Sequence, residues 1–379
     1  MKLASVRQLQ VKGFLSIRDA TIDFRPINLL LGANGAGKSN LLRLFQLLQS
    51  LADDALQQYV GQAGGASALL HYGRKHTDHI EVYLQFERSQ QRQNTYFCRL
   101  VPTAEDTLIL AEEQLGFQDP KRHAKPYTAP MRFRHPNSVL VRPDDWFSSE
   151  RDLGLARHVR DCLRSYRVYH FHDTSESARV KQRCYLYDNE SLRHDAGNLA
   201  AMLRRLRDEH PARYEYLLDL IRLAAPFFGD FVLEPITGEY VLLRWRERGW
   251  DTIFSPHALS DGTLRFIALA TLLNLPSEWL PATVIIDEPE LGLHPYAIHL
   301  IAAMIRSAAQ HAQFLISTQS PVLVSQFEPD EVLVAERHEG ATVFRRLDAE
   351  PLRLWLEDYS LGELWEKNLI GGSPTRSRL

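Results

Sequence analysis

The sequence predicts an α/β fold: a mixed sheet flanked by helices, with an antiparallel β lobe and an inserted helical subdomain. Three stretches carry that expectation. The first is Gly32-x-x-x-x-Gly37-Lys38-Ser39, the phosphate-binding loop pattern. It lies between an apolar run at 27–31 and the residues Leu41, Leu44, Phe45 and Leu48, which recur at helical spacing. The second is a buried run at 283–286 that ends in two acids, Asp287 and Glu288. The third is a short buried run at 314–318 that ends at Gln319.

The elements follow in order. Residues 6–24 read as two strands joined by a turn at Leu15-Ser16-Ile17, and with 27–31 they are expected to open a mixed sheet. The helix after the phosphate loop runs to about Leu51. Residues 59–72 are rich in Gly and Ala, have poor periodicity and read as loop. Alternating patterns at 79–86, 95–101 and 107–110 predict an antiparallel lobe with one solvated face. The stretch 119–143 carries Lys121, Arg122, Lys125, Arg132, Arg134 and Arg142 among several prolines, and reads as an extended loop or edge region. A helical pattern turns into a strand across 157–171. Residues 199–228 are helical but too short for a coiled-coil arm, and 231–245 return to strand.

At 379 residues the chain is long for one compact core, so one large domain with an insertion, or two lobes, is expected. A hydrophobic fraction of 45% and a charged fraction of 24% are ordinary globular values. The net charge of −3 excludes a generally polybasic nucleic-acid binder but leaves room for a local basic face. Three scattered cysteines, Cys98, Cys162 and Cys184, form no disulfide or zinc framework, which fits a reducing, cytoplasmic compartment. The first residues lack an apolar signal core, and nothing reaches the roughly 18 consecutive apolar residues of a membrane span.

The chemistry follows from the residue types. Glycines let the loop backbone wrap a polyphosphate with its N–H groups inward, and the helix N-terminus adds partial positive charge. Asn34, Gly35, Ala36, Gly37, Lys38 and Ser39 would line the phosphates of ATP, with Lys38 reaching the β- and γ-phosphates and Ser39 binding Mg²⁺. Asp287 would hold Mg²⁺ through its water, and Glu288 would orient and deprotonate the attacking water. Upstream, Ser260 stands at a helix N-cap, and its hydroxyl with Gly262 N–H offers a second anion site. Gln319 should lie near the γ-phosphate edge. Each feature alone has a plainer reading: a glycine turn opening a helix, a solvated acidic turn, a capped helix. Their joint occurrence favours the nucleotide site.

In this order the motifs resemble an ABC-type ATPase of the RecF/SMC/OLD-like group. GANGAGKS is similar to its Walker A motif, LSDGT to its signature, and VIIDEPE to its Walker B motif with catalytic glutamate. LGLHP resembles the D-loop and STQSP the switch strand, and the closing LEDYSLGELWEKNLIGG resembles a stand-alone predicted-ATPase subfamily. The resemblance implies a P-loop NTPase of ABC-ATPase head type, one head across 1–379. An N-terminal lobe at 1–170, a largely helical insertion at 171–255 and a C-terminal lobe at 256–379 are expected. It further implies a homodimer in which two heads sandwich two ATP. Ser260 and Gly262 would then act in trans, and Lys38, Ser39, Asp287 and Glu288 in cis, with Asn40 near the α-phosphate. Two departures stand out. The switch position, often histidine, is Gln319, which can hydrogen-bond but not carry charge, so hydrolysis by Glu288, Lys38 and Gln319 is expected to be slow. No glutamine loop is evident, and His172 and Asp173 occupy the corresponding junction.

The expected output is an ATP-gated dimerisation switch in DNA recombination or repair, or in prokaryotic anti-phage defence. DNA and an operon-encoded nuclease or effector are the candidate partners. The alternative is an ATPase subunit that regulates a separate effector without itself binding DNA. An OLD-like nuclease would need a metal-binding domain of roughly 100 residues, and no Asp-x-Asp pattern follows Gln319. A transporter motor would need a membrane-coupling surface that the middle of the chain does not resemble. His170 and His172 could share a strand face as metal ligands, but no Cys or acid stands at ligand spacing. Trp355, Tyr359, Leu361 and Trp365 read as core or docking residues.

Overall fold

The computed structural model describes residues 4–89, 92–119 and 125–372. The chain opens with β1 (Ser5–Phe14) and β2 (Ile17–Asp23), an antiparallel pair in which exposed residues interrupt the buried ones. Strand β3 (Ile27–Leu31) is buried at all five positions. That difference corrects the expectation of one opening sheet. The two alternating strands join an antiparallel sheet with a solvated face, while β3 needs a sheet covered on both sides and goes to another one.

Helix α1 (Lys38–Ala52) follows the phosphate loop. The stretch 59–72 is not loop alone, because α2 (Leu56–Gln62) and α3 (Ala66–Leu69) cover most of it. Each is one or two turns long, too short for a period to emerge, and Gly64 and Gly65 break between them at φ +91° and +99°. Strands β4 (Ile80–Ser89), β5 (Arg92–Pro102), β6 (Leu108–Gln118), β7 (Tyr127–Thr128) and β8 (Arg132–His135) complete the antiparallel sheet. Its order is β2-β1-β4-β5-β6-β7, with β8 also pairing to β6. The basic stretch is therefore an edge region, as expected, although Lys121 and Arg122 fall outside the described residues.

Next come α4 (Glu150–Arg164), whose N-cap Ser149 accepts from Asp152 N–H, and the edge strand β9 (Arg167–Tyr169). A middle region holds β10 (Cys184–Tyr185), α5 (Leu199–Glu209), α6 (Pro211–Ala224), β11 (Phe228–Val232), β12 (Tyr240–Val241), β13 (Arg244–Glu247) and β14 (Ile253–Phe254). The predicted helical stretch is split at His210-Pro211, since proline opens a helix readily and continues one poorly. Then follow α7 (Asp261–Leu273), β15 (Thr283–Asp287), α8 (Pro295–Ala308), β16 (Gln313–Thr318), α9 (Pro321–Val324), β17 (Val332–His338) and β18 (Ala341–Arg346). Helices α10 (Ala349–Leu352) and α11 (Leu361–Glu366) come last.

The second sheet runs β18-β17-β3-β16-β15-β9, parallel throughout except for the β17–β18 pair. Its side chains divide strictly by strand period. Leu29, Leu31, Val284, Ile286, Phe314 and Ile316 join one core with helices α5 to α8. Leu30, Ile285, Leu315 and Leu333 join the other core, with α1, α4 and the antiparallel sheet. The helices of the middle region thus share a core with those of the C-terminal part.

Buried Gln313 ties the two sheets together. Its amide N–H donates to Val6 O (2.7 Å) and Arg25 O (3.1 Å), while its carbonyl accepts from Val6 N–H and Thr283 Oγ1 (both 3.1 Å). All four bonds are internal, so Gln313→Leu strands several buried polar groups at once, each costing about 1–3 kcal/mol. We expect a lower midpoint in urea unfolding, by at least the shift that one such loss produces. An unchanged midpoint would remove Gln313 as the joint.

Candidate active site

Register assembles the site. Strands β3 and β16 pair in parallel with Leu31 opposite Thr318, and β16 and β15 with Ser317 opposite Asp287. The chain therefore leaves three neighbouring strands at one edge, at Gly32, Glu288 and Gln319. Ligands in parallel α/β sheets bind at this carboxyl edge.

The phosphate loop is held from three directions. Gly32 packs so closely on β17 that an added Cβ would lie 2.5 Å from Ala335 O. Gly37, at φ +104°, faces Thr342, where a Cβ would sit 2.0 Å from its Oγ1. Thr342 in turn donates to Ala36 O (2.9 Å) and shares a hydrogen bond with Ser16 (2.6 Å). The third hold is the end of the described chain: Ala33 N–H donates to Gly372 O (2.7 Å), and Gly372 N–H to Glu336 Oε1 (2.9 Å). Asn34, Gly35 and Ser39 are left open at the surface. Asn40 sits at the start of α1, but its amide donates to Ser16 Oγ (2.6 Å) rather than pointing into the loop. Lys38 Nζ folds back on the loop carbonyls of Gly32 (2.5 Å) and Ala33 (3.2 Å). Burial lowers the Lys38 pKa, and the nearby Glu288, Asp287 and Glu290 oppose that shift.

Three carboxyls, Asp287, Glu288 and Glu290, lie close enough to Lys38 to act on its charge. Asp287 accepts from Ser317 Oγ (2.5 Å), and His170 Nδ1 lies 3.3 Å from its other oxygen. Burial alone would raise this carboxyl, but the bonds from His170 and Ser317 outweigh it and hold it below the usual range. His172 Nε2 reaches Asp287 O (2.9 Å). The pair His170 and His172 thus supports the Asp287 turn, whereas Asp173 caps Ser175 through its N–H (3.0 Å) and hydroxyl (2.7 Å). Glu288 stands at φ +45°, unusual for a residue with a Cβ, and Gln319 Nε2 donates to its Oε1. The sequence reading missed His170 as an Asp287 partner and Glu290 altogether. Parallel pairing of β9 with β15 brings His170 there, and no short-range pattern signals it.

Ser260 caps α7 by accepting from Thr263 N–H (3.2 Å), and it is exposed. Gly262 packs against the turn after Glu288, where a Cβ would meet Gly292 O at 2.6 Å. One turn on, Arg265 donates to Phe171 O (3.2 Å), His172 O (2.9 Å) and Leu291 O (3.3 Å). Helix α7 is thereby tied to the two segments that flank Asp287.

A family model described as "AAA domain, putative AbiEii toxin, Type IV TA system" matches residues 27–325. The chain belongs to that family. No curated protein matches it. Among solved structures it is similar to an Smc head bound to the C-terminal winged-helix domain of ScpA, with 15% identity, TM-score 0.59, and coverage of 92% of this chain and 99% of that one. An Smc head with extended coiled coil from Pyrococcus furiosus, bound to the C-terminal domain of ScpA, gives 15% identity and TM-score 0.57 over 94% and 99%. An Smc head from Pyrococcus yayanosii gives 12% and 0.53 over 94% and 99%. The fold is accordingly that of an SMC head, a P-loop NTPase of ABC-ATPase head type, which fits the AAA-domain family to which the chain belongs. Among the described residues, no helix is long and apolar enough to cross a membrane.

The Gly372 contact yields a test within this AAA-domain family. At φ +76°, with a Cβ that would lie 3.0 Å from Val334 Cγ1, Gly372→Val should displace the carbonyl that holds Ala33. Affinity for fluorescent nucleotide should fall several-fold while the unfolding midpoint moves little. Equal affinity would mean that the loop keeps its shape without this strap.

Proposed function

We propose that the chain binds ATP with Mg²⁺, hydrolyses it slowly, and uses the nucleotide as a switch that joins two heads. The observation that carries this reading is the register that brings Lys38, Asp287, Glu288 and Gln319 to one sheet edge. Phosphates would take over Lys38 from the carbonyls of Gly32 and Ala33, and the open amides around Asn34 to Ser39 would wrap them. The donor set fits Mg²⁺: an exposed Ser39 hydroxyl and an ionised Asp287 are hard oxygen ligands. Among the described residues no three His, Cys, Asp or Glu could hold a metal by themselves, so phosphate oxygens would complete the shell. The metal, when bound, offsets phosphate charge. Glu288 orients the attacking water and accepts its proton, and the Gln319 amide holds Glu288 in place.

Ser260 is exposed at the N-terminus of α7, and its hydroxyl and the first amides of that helix suit a γ-phosphate held by a second copy. The Smc heads to which the chain is similar include two with ScpA domains bound, so a partner protein on the head is a reasonable companion to this dimer. Membership of a family that is described by a type IV toxin–antitoxin system favours a role in prokaryotic defence over repair. DNA and a partner nuclease or effector remain the proposed targets.

Two variants test the switch. Lys38→Ala removes the cation between the phosphates and should abolish nucleotide binding in a fluorescence titration; wild-type affinity would remove the phosphate-loop assignment. Glu288→Gln keeps the shape and leaves Asp287 for the metal, and should slow hydrolysis by ~10²–10⁴-fold. Light scattering should then show a dimer that needs ATP and is undone by adding Ser260→Arg. Slow turnover without ATP-dependent association would keep the ATPase and overturn the dimer.

A further inference from the structure

We propose that Glu290 is a positioning residue: it sets Gln319 against the catalytic Glu288, and so governs the hydrolytic step rather than nucleotide binding. This rests on the reading of the site as an ATPase.

Gln319 lies just past the end of β16, where the parallel ladder no longer supplies partners. Glu290 supplies them instead. Its Oε1 accepts from Thr318 Oγ1 (2.7 Å) and from Gln319 N–H (2.9 Å). Thr318 Oγ1 also accepts from Ser320 N–H (3.0 Å), so the backbone is pinned on both sides of Gln319. From that fixed backbone the Gln319 amide reaches Glu288 Oε1. The turn that aims Glu290 at the strand is itself specified. Glu288 takes a left-handed φ of +45°, and Leu291 N–H and Leu293 N–H close back on Glu288 O (3.2 Å) and Glu290 O (3.0 Å). Glu288 N–H donates to Ser317 O (2.9 Å), which locks the turn to β16. The catalytic glutamate and its partner are thus fixed by one carboxyl on the same short turn.

The cost of this arrangement marks it as functional. Glu290 is largely buried, and its Oε2 has no hydrogen-bond partner among the described residues. A half-satisfied buried carboxyl destabilises a fold, and such local conflicts concentrate at functional sites. Burial raises its pKa, against the bonds from Gln319 and Thr318. Glutamine keeps the side chain's shape and the oxygen that accepts both bonds.

The experiment is steady-state ATP hydrolysis by the full chain, with binding of a non-hydrolysable ATP analogue measured in parallel. Glu290→Ala should lower kcat by about 10²-fold, the size of a lost orientation, with KM and analogue affinity within about twofold of wild type. Glu290→Gln should restore kcat to within a few-fold. An unchanged kcat in Glu290→Ala overturns the proposal, and so does a Glu290→Gln as slow as the alanine variant, which would make the carboxylate itself catalytic. Should Glu290→Ala fail to fold, Thr318→Val cuts one of the two bonds from the other side; it must lower kcat without raising KM, and wild-type kcat there overturns the proposal. A wild-type chain that binds the analogue but hydrolyses nothing removes the ATPase reading and this proposal together. Hydrolysis by wild type with no effect of Glu290→Ala removes this proposal alone.

Discussion

The site depends on the parallel register of three strands that come from distant parts of the chain. Residues 27–31, 283–287 and 313–318 are adjacent in space only because β3, β16 and β15 pair in that order. A slip of one residue in β16 would exchange Leu315 with Ile316 between two cores and turn both to the wrong face. The same slip would carry Ser317 away from Asp287 and Gln319 away from Glu288. Packing and chemistry are thus specified by one constraint. The hydrophobic sorting that makes the sheet stable also fixes which polar residues meet at its edge.

That explains how much was legible. The phosphate loop, the acid pair and the switch strand each end an apolar run, so strand ends could be read directly from composition and period. Ser260 could be read as a cap because capping is local: its bond spans three residues, to Thr263. What stayed hidden was set by long-range pairing. No pattern near His170 announces Asp287 as its neighbour, since the contact passes through the β9–β15 pair. The separation of β1 and β2 from β3 was hidden for a related reason. Two alternating strands and one fully buried strand are compatible with one mixed sheet or with two, and only tertiary packing decides. Glu290 went unread because a glutamate after Asp-Glu-Pro looks like more of the same acidic turn.

The electrostatics of the site have the same origin. Asp287, Glu288 and Glu290 all act on Lys38; the first ends strand β15 and the other two lie on the turn that follows it. Their environments differ. Asp287 is held low by donors from two neighbouring strands, and Glu290 is driven up by burial. Adjacent carboxyls whose environments push them apart are the physical basis for separate roles. On this ground Asp287 is suited to a cation, and Glu290 to its hydrogen bonds with Thr318 and Gln319. Gln319 against Glu288 then becomes an arrangement of orientation rather than of charge.

A final consequence concerns the order of events. Two unit charges at 4 Å interact by about 4 kcal/mol at an effective dielectric of 20. In the proposed site an ATP polyphosphate that arrived alone would be repelled by Asp287 and Glu288, with only Lys38 and loop amides to offset them. Lys38 is moreover occupied with Gly32 and Ala33, and releasing it breaks two hydrogen bonds. A divalent cation held by Asp287 would offset the repulsion between that carboxylate and the phosphates, leaving the release of Lys38 from the loop carbonyls to the phosphates themselves. In the proposed switch the metal would thus favour binding, and the acids that would prepare hydrolysis would also select for the metal-bound nucleotide.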